Sequence, residues 1–205
     1  MSLLSESLRH WFSPEQLARL RAARVGIAGA GGLGSNAAMA LVRSGIRDLV
    51  VADGDFVEPS NLNRQAYWPE DVGKPKVLAL EERLRALEHE LLYEGRREWL
   101  TEANACSVFR DCDVVIEALD GAAFKAELCG LLLEAGFFVV GASGLAGYGL
   151  PPLGVRRMGE RFVCVGDFAT EASRDAPTLA PRVIQAAAMQ ADAVLAFLLQ
   201  RPLAP

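Results

Sequence analysis

Histidine is almost absent from this chain: His10 and His89 are the only two in 205 residues. Two isolated imidazoles supply neither a histidine-based metal centre nor a catalytic triad. Cysteine is sparse as well. Cys106, Cys112, Cys129 and Cys164 contain no C-x-x-C pair, which argues against a zinc ribbon and a dithiol redox motif, so no zinc is expected. Free thiols in a cytoplasmic compartment are the plain reading. No apolar run is long enough to cross a bilayer; Glu134 interrupts one of the two longest stretches, and no membrane association is expected. The opening six residues lack the basic-then-apolar pattern of a secretory leader. Positive charge is in deficit: a net charge of −5 gives no electrostatic footprint for nucleic acid or an anionic membrane. Internal repeats, low-complexity tracts and linkers rich in Pro, Gly or Ser are missing too. The length and the 51% apolar content then describe one domain.

What is present is an alternation of strands and helices. Residues 1–23 read as a helical lead-in, with Ser13-Pro14-Glu15 as a helix start. Strands are expected at 24–28, 48–52, 91–93, 114–119, 137–141 and 161–165. Helices are expected at 33–44, 75–87, 122–135 and 181–200. The last helix is expected to bury a stripe containing Ile184, Ala187, Ala188, Ala191, Val194, Leu195 and Leu198. Such alternation implies an α/β, Rossmann-like domain: a mostly parallel sheet with helices on both faces. Residues 24–142 would form its core, and 143–205 a closing loop, strand and helix. Ligands of such sheets bind beyond the C-terminal ends of the strands, and every candidate below falls at such an end.

Gly29-Ala30-Gly31-Gly32-Leu33-Gly34 fits G-x-G-x-x-G between a strand and a helix. Glycine there permits a tight turn and lets backbone N–H groups approach phosphate, with the helix N-terminus behind them. Asp53 lies 19 residues past Gly34 at the end of the second strand, where a carboxylate can accept from ribose hydroxyls. These features select a nucleotide with a ribose and do not by themselves separate NAD from ATP.

The segment after Asp53 bears on that choice. Asp55, Ser60, Asn61, Arg64 and Gln65 form a dense polar cluster that hydride transfer does not need. Lys74 and Lys76 stand at a helix start, where the dipole disfavours cations unless an anion is near. Arginine plus lysine makes a sensible clamp for a triphosphate, though a solvated polar loop has the same composition. Asp120 follows an apolar strand and suits either Mg²⁺ coordination beside phosphates or a helix N-cap. The acidic run of Glu81, Glu82, Glu88 and Glu90 reads as a solvated helix face, and Trp11, Trp68 and Trp99 as residues packed at the domain's edges. Tyr67-Trp68 follows the Arg64-Gln65 pair closely enough to border a ligand groove.

Taken in order, Gly-x-Gly-Gly-x-Gly, Asp-x-Asp, Ser-Asn-Leu-x-Arg-Gln, Val-Gly-x-Pro-Lys and the strand-end Asp resemble the ThiF/MoeB/HesA family. These are the bacterial relatives of ubiquitin-activating enzymes, and the resemblance runs from about residue 21 to 199, nearest to the short ThiF-like branch. It implies that Gly29, Gly31, Gly32 and Gly34 line the nucleotide phosphates and that Asp53 holds the ribose. It also implies that Asp55, Ser60, Asn61 and Gln65 help fix ATP, that Arg64 and Lys76 contact its phosphates, and that Asp120 coordinates Mg²⁺. The implied reaction is adenylation of the C-terminal carboxylate of a ubiquitin-like sulfur-carrier protein ending in Gly-Gly, of the ThiS type, by a homodimer. The paired C-x-x-C motifs of many members are missing, and no cysteine occupies the closing loop at 175–183. Cys164, just before that loop, reads as a small core residue rather than a nucleophile. Arg9 is the one N-terminal candidate for an arginine that reaches a partner's site. The competing readings are a dehydratase-like relative that adenylates a tRNA nucleoside, an NAD-dependent oxidoreductase, and a nucleotide-binding scaffold without turnover.

Overall fold

In the computed structural model, residues 2–149 and 151–201 are described. The ends of the domain reading, Met1 and 202–205, therefore lie outside them. Seven strands form one sheet: β1 (Arg24–Ala28), β2 (Asp48–Ala52), β3 (Leu92–Arg96), β4 (Val114–Glu117), β5 (Phe138–Ala142), β6 (Gly154–Arg157) and β7 (Phe162–Gly166). Their order is β3-β2-β1-β4-β5-β7-β6, and all neighbours run parallel except β6 against β7. The chain leaves β1 toward β2 on one side and returns from β3 to β4 on the other. The order therefore reverses between β1 and β4, where a crevice opens in sheets of this kind.

Alternation along each strand sorts the core into two layers. Val25, Ile27, Leu49, Val51, Ile116 and Val140 face one side. There they meet α3 (Gly32–Arg43), α4 (Lys76–Leu87) and α7 (Ala180–Leu198). Ala28, Val50, Ala52, Val115 and Val139 face the other side, against Phe109 at the end of α5 (Ala105–Val108) and Leu128 and Leu132 of α6 (Ala122–Glu134). Gln190 of α7 donates its side-chain amide to Glu117 O at 2.9 Å and Val140 O at 3.2 Å, tying that helix to the end of β4 and the middle of β5.

The lead-in is two helices, α1 (Leu3–Leu8) and α2 (Pro14–Ala22). Ser13 and Gln16 form a reciprocal cap at the start of α2. Of the acidic run expected to be solvated, Glu82 and Glu90 are exposed, but Glu88 is buried. It accepts from Ser2 Oγ at 2.7 Å and pairs with Arg47 at 3.1 Å, which docks α1 beside the start of β2. Arg9, at the end of α1, therefore sits at the end of the sheet away from the glycine turn.

Three further departures from the sequence reading have physical causes. β3 extends to Arg96 because an edge strand tolerates the polar Glu94-Gly95-Arg96 that hides it from pattern reading. Within the Gly- and Pro-rich 143–160 stretch, β6 adds an antiparallel edge strand whose burial is only partial. In α7 the expected stripe is buried at Ala187, Ala191, Val194 and Leu198, but the inward face also takes in Arg182, Val183, Ala186 and Gln190, while Ile184 is 47% exposed. Two polar residues with partners inside the fold widen the face that hydropathy alone selects. No helix among the described residues is long and apolar enough to cross a membrane.

Candidate active site

Three strand ends meet at the reversal point. β1 runs into Gly29, whose φ of +100° and whose Cα facing Ala118 O both require glycine; a Cβ there would stand 2.7 Å from that oxygen. A Cβ on Gly34 would stand 1.8 Å from Gly29 O, so the first turn of α3 closes tightly on the strand end. Asp53, just past β2, is wired into this turn. Its Oδ2 accepts Ala30 N–H and its Oδ1 accepts Asp55 N–H, each at 2.7 Å. Tyr67 locks the turn from behind by donating its hydroxyl to Ala30 O at 2.7 Å. Burial holds that phenol well above its ordinary pKa, so it stays a donor.

A cavity of about 200 Å³ gathers Gly29, Gly31, Asp53, Asp55, Lys76, Trp99 and Asp120. Lys76 is buried along its stem and pairs with Asp55 at 2.8 Å. Lys74 turns away to Asp71 and Glu82, so of the two lysines at the helix start only Lys76 serves the cavity. Asp120 lies exposed beyond β4 and makes no hydrogen bond or ion pair with the described residues. The N-cap position of α6 is Gly121, without a side-chain cap, so the capping role open to Asp120 is not taken.

The other sequence candidates stand beside the cavity rather than in its lining. Ser60 and Asn61 lie in a 3₁₀ turn, Pro59–Asn61. Arg64 donates to Ser60 O at 3.1 Å and Asn63 Oδ1 at 2.8 Å. Its Cγ would be 3.6 Å from a Cβ on Gly32, which puts the arginine against the start of α3. Asn36 Nδ2 holds it there, donating to Gly32 O at 2.7 Å and Arg64 O at 2.9 Å. Gln65 is buried next to Gly31, and its Oε1 has no partner among the described residues. An orphaned acceptor at the phosphate side of the turn is unusual for a buried amide.

Sequence reasoning missed three contributors. Ser35 accepts from Ala66 N–H at 3.0 Å and donates to Gly31 O at 2.6 Å, joining the turn to the Arg64 segment. Trp99 lines the cavity instead of packing at an edge, whereas Trp68 stays outside it, 5.1 Å below the Arg83 guanidinium. Glu117 sits at the end of β4 on the floor of a second hollow of about 870 Å³. Lys125 lies 3.4 Å from Glu117, and Phe162, Cys129 and Cys164 also line the space. Burial pushes the Glu117 carboxyl above its usual value, against the pull of Lys125 and of Leu119 N–H. The same burial raises the Cys164 thiol and pushes that of Cys129 up to about 12, so neither is a ready thiolate. Gly121 lines the second hollow and Asp120 the first, so the two adjoin across that dipeptide.

A glycine turn, a strand-end aspartate, a lysine and an exposed aspartate gather around the switch point of a parallel sheet, where α/β domains of this kind receive their ligands. The chain matches the ThiF family over residues 4–205 and belongs to it. It is 43% identical over 108 residues to the sulfur carrier protein adenylyltransferase of Thermus thermophilus, covering 52% of this chain and 40% of that protein. It is 38% identical over 110 residues to the sulfur carrier protein ThiS adenylyltransferase of Bacillus subtilis, covering 52% of this chain and 33% of that one. The matched stretch thus spans well under half of these relatives. In fold the chain is similar to Escherichia coli tRNA N6-threonylcarbamoyladenosine dehydratase, TcdA, in complex with AMP. The TM-score is 0.86 at 20% identity, covering 95% of this chain and 93% of that one.

Proposed function

We propose that this chain binds ATP at the reversal point and adenylates the C-terminal carboxylate of a ubiquitin-like sulfur-carrier protein of the ThiS type. The observation that carries the reading is the cavity that brings Asp53, Lys76 and Asp120 to one side of the glycine turn. The identity to the two sulfur-carrier enzymes supports the choice of acceptor. In this reading residues 1–205 form one adenylyltransferase domain that works as a homodimer in the cytoplasm.

The chain's residues divide the task. Backbone N–H groups at Gly31, Gly32 and Gly34, on the positive end of α3, hold phosphate. Asp53 keeps lone pairs free beyond its two backbone bonds and accepts from the ribose. Ser60, Asn61 and Gln65 fix the nucleotide on its other flank. The carrier carboxylate attacks the α-phosphorus, forming the acyl–O–P bond as the bond to the β-phosphate oxygen breaks and pyrophosphate leaves. Arg64 and Lys76 take up the charge of that leaving group, for which Lys76 exchanges Asp55 for phosphate oxygen. The larger hollow beyond Gly121 offers the carrier's terminal glycines a route to the reacting centre. Asp120 and Asp55 fit Mg²⁺: both are carboxylates on the cavity wall, and one or two such oxygens beside phosphates are what this ion takes. When bound, Mg²⁺ neutralises phosphate charge.

ATP–pyrophosphate exchange, with and without a carrier ending in Gly-Gly, tests the reading. Exchange that needs the carrier and disappears when its last glycine is removed supports it. Exchange driven instead by a modified tRNA nucleoside would move the assignment to dehydratase-type chemistry, which the net charge of −5 opposes. ATP binding with no exchange under either condition would leave a scaffold.

A further inference from the structure

We propose that Trp99 is the platform on which the purine ring of the nucleotide stacks, and that residue 54 is glycine to let the indole lie there. The inference rests on the ATP reading above and adds the element that recognises the base.

Ribose held at Asp53 divides the ligand in two. Phosphates run toward Gly31 and the start of α3, so the base must leave the sugar on the opposite side. On that side stand Gly54, Trp99 and Leu100, which share the cavity with Asp53. The indole lies across Gly54: Cε2, Cδ2 and Nε1 would be 2.7, 2.8 and 2.9 Å from a Cβ placed on residue 54. Three contiguous ring atoms at nearly equal distance mean that the ring covers the glycine, not that one corner touches it. Any side chain at 54 would push it off.

The ring is also held in place before any ligand arrives. Trp99 O accepts Asn104 Nδ2 at 3.0 Å, the same amide donates to Glu98 Oε2 at 3.0 Å, and Asn104 Oδ1 accepts Thr101 N–H at 2.7 Å. The backbone under the indole is thereby a fixed turn. Yet Trp99 is 67% exposed, so most of the ring remains uncovered. A single exposed tryptophan on a protein surface needs no explanation. One that is pre-positioned on Gly54, next in the chain to Asp53 and in the wall of the same cavity, fits a stacking platform, because every purine offers a π-face and stacking needs no further protein contact.

The test titrates the whole chain by calorimetry with ATP and, separately, with inorganic triphosphate, which has no base. Trp99→Ala should weaken ATP binding by about 5- to 100-fold and leave triphosphate binding unchanged, since base–aromatic stacking is of that size. Trp99→Phe should recover most of the loss. Gly54→Ala should behave like Trp99→Ala toward ATP, with the ring in place but displaced. ATP should quench tryptophan emission in a Trp11→Phe, Trp68→Phe background, where Trp99 is the sole indole. Equal ATP affinity in wild type and Trp99→Ala would overturn the platform while leaving the ATP reading intact. Equal losses for ATP and triphosphate would overturn it too, by showing a general disturbance of the site. Failure of the wild-type chain to bind ATP would overturn the functional reading, and this inference with it.

Discussion

Residues 24–76 and 143–183 each build the ends of parallel strands, yet the turn after β1 and the turn after β7 are held by different kinds of contact. In the first region, backbone hooks do the holding. Ala30 N–H meets Asp53, Tyr67 meets Ala30 O, and Asn36 spans Gly32 and Arg64. Its charged side chains divide: Lys76 lines the cavity and Arg64 stands beside it, while Asp71 is buried and pairs with Arg83 and Lys74 away from it. In the second region the charges turn inward. Asp167 has a fully buried carboxylate that accepts Ala169 N–H and Thr170 N–H at 2.8 Å each and pairs with Arg182. Arg182 also reaches Pro151 O at 2.6 Å, so one guanidinium joins the loop after β5, the end of β7 and the start of α7. The difference separates roles. A charge neutralised inside the fold maintains shape, while a charge left at a cavity rim is available to a ligand.

Removing one partner of the inward pair should give the largest change in stability. Arg182→Ala leaves the buried Asp167 carboxylate without its counter-charge, and should cost about 3–5 kcal/mol in a denaturant melt. A loss under about 1 kcal/mol would mean that the closing region does not depend on this pair. Next comes a neutral hook. Ser35→Ala strands the Ala66 N–H next to the glycine turn and should cost about 1–3 kcal/mol, with ATP affinity lowered in step. If stability falls and affinity does not, the turn and the Arg64 segment are not coupled as their geometry indicates.

Two buried carboxylates sharpen the comparison through pH. Burial opposes the charge on Asp167, but Thr170, the backbone donors and Arg182 hold its carboxyl below the usual 3.8. A folded value below the unfolded one stabilises the protein above the usual aspartate range, and that contribution disappears as pH falls through the folded value. Glu117 runs the other way. Its folded value stands above the usual 4.5, so its contribution is most favourable in acid and is lost as pH rises through the raised value. Asp167→Asn should therefore lower the melting temperature at neutral pH and converge on wild type in acid. Glu117→Gln should match or exceed wild type at neutral pH, and any advantage should vanish in acid. Parallel curves for the two variants would contradict the opposite shifts. The smallest stability effect belongs to a rim charge: Arg64→Ala should stay within about 0.5 kcal/mol of wild type in the melt while abolishing pyrophosphate exchange.

Much of the first region was legible in the order of its residues. The G-x-G-x-x-G turn, Asp53 at a strand end and the helix behind them follow from periodicity and from glycine's steric freedom, both properties of neighbouring residues. The alternation of 24–142 likewise predicted a parallel sheet with two helical layers. Trp99 was illegible because its meaning depends on Gly54, 45 positions earlier, and no pattern of spacing connects them. Glu88 read as solvated because its partners, Ser2 and Arg47, belong to other elements. The inward face of α7 was legible only at its apolar positions for the same reason, since Arg182 and Gln190 find buried partners that hydropathy cannot see.

The sequence alone determined the layer architecture, the nucleotide-type glycine turn and the family resemblance, since these rest on backbone geometry and short-range sterics. Only the tertiary structure decided which charges meet. It put Lys76 on Asp55, placed Asp120 in the wall of the same cavity, and buried Asp167 against Arg182. The physical reason is strand order: a charge's partner is set by which segments the sheet brings side by side, and hydrogen bonds and ion pairs act over a few ångströms of space however far apart the residues lie in the chain.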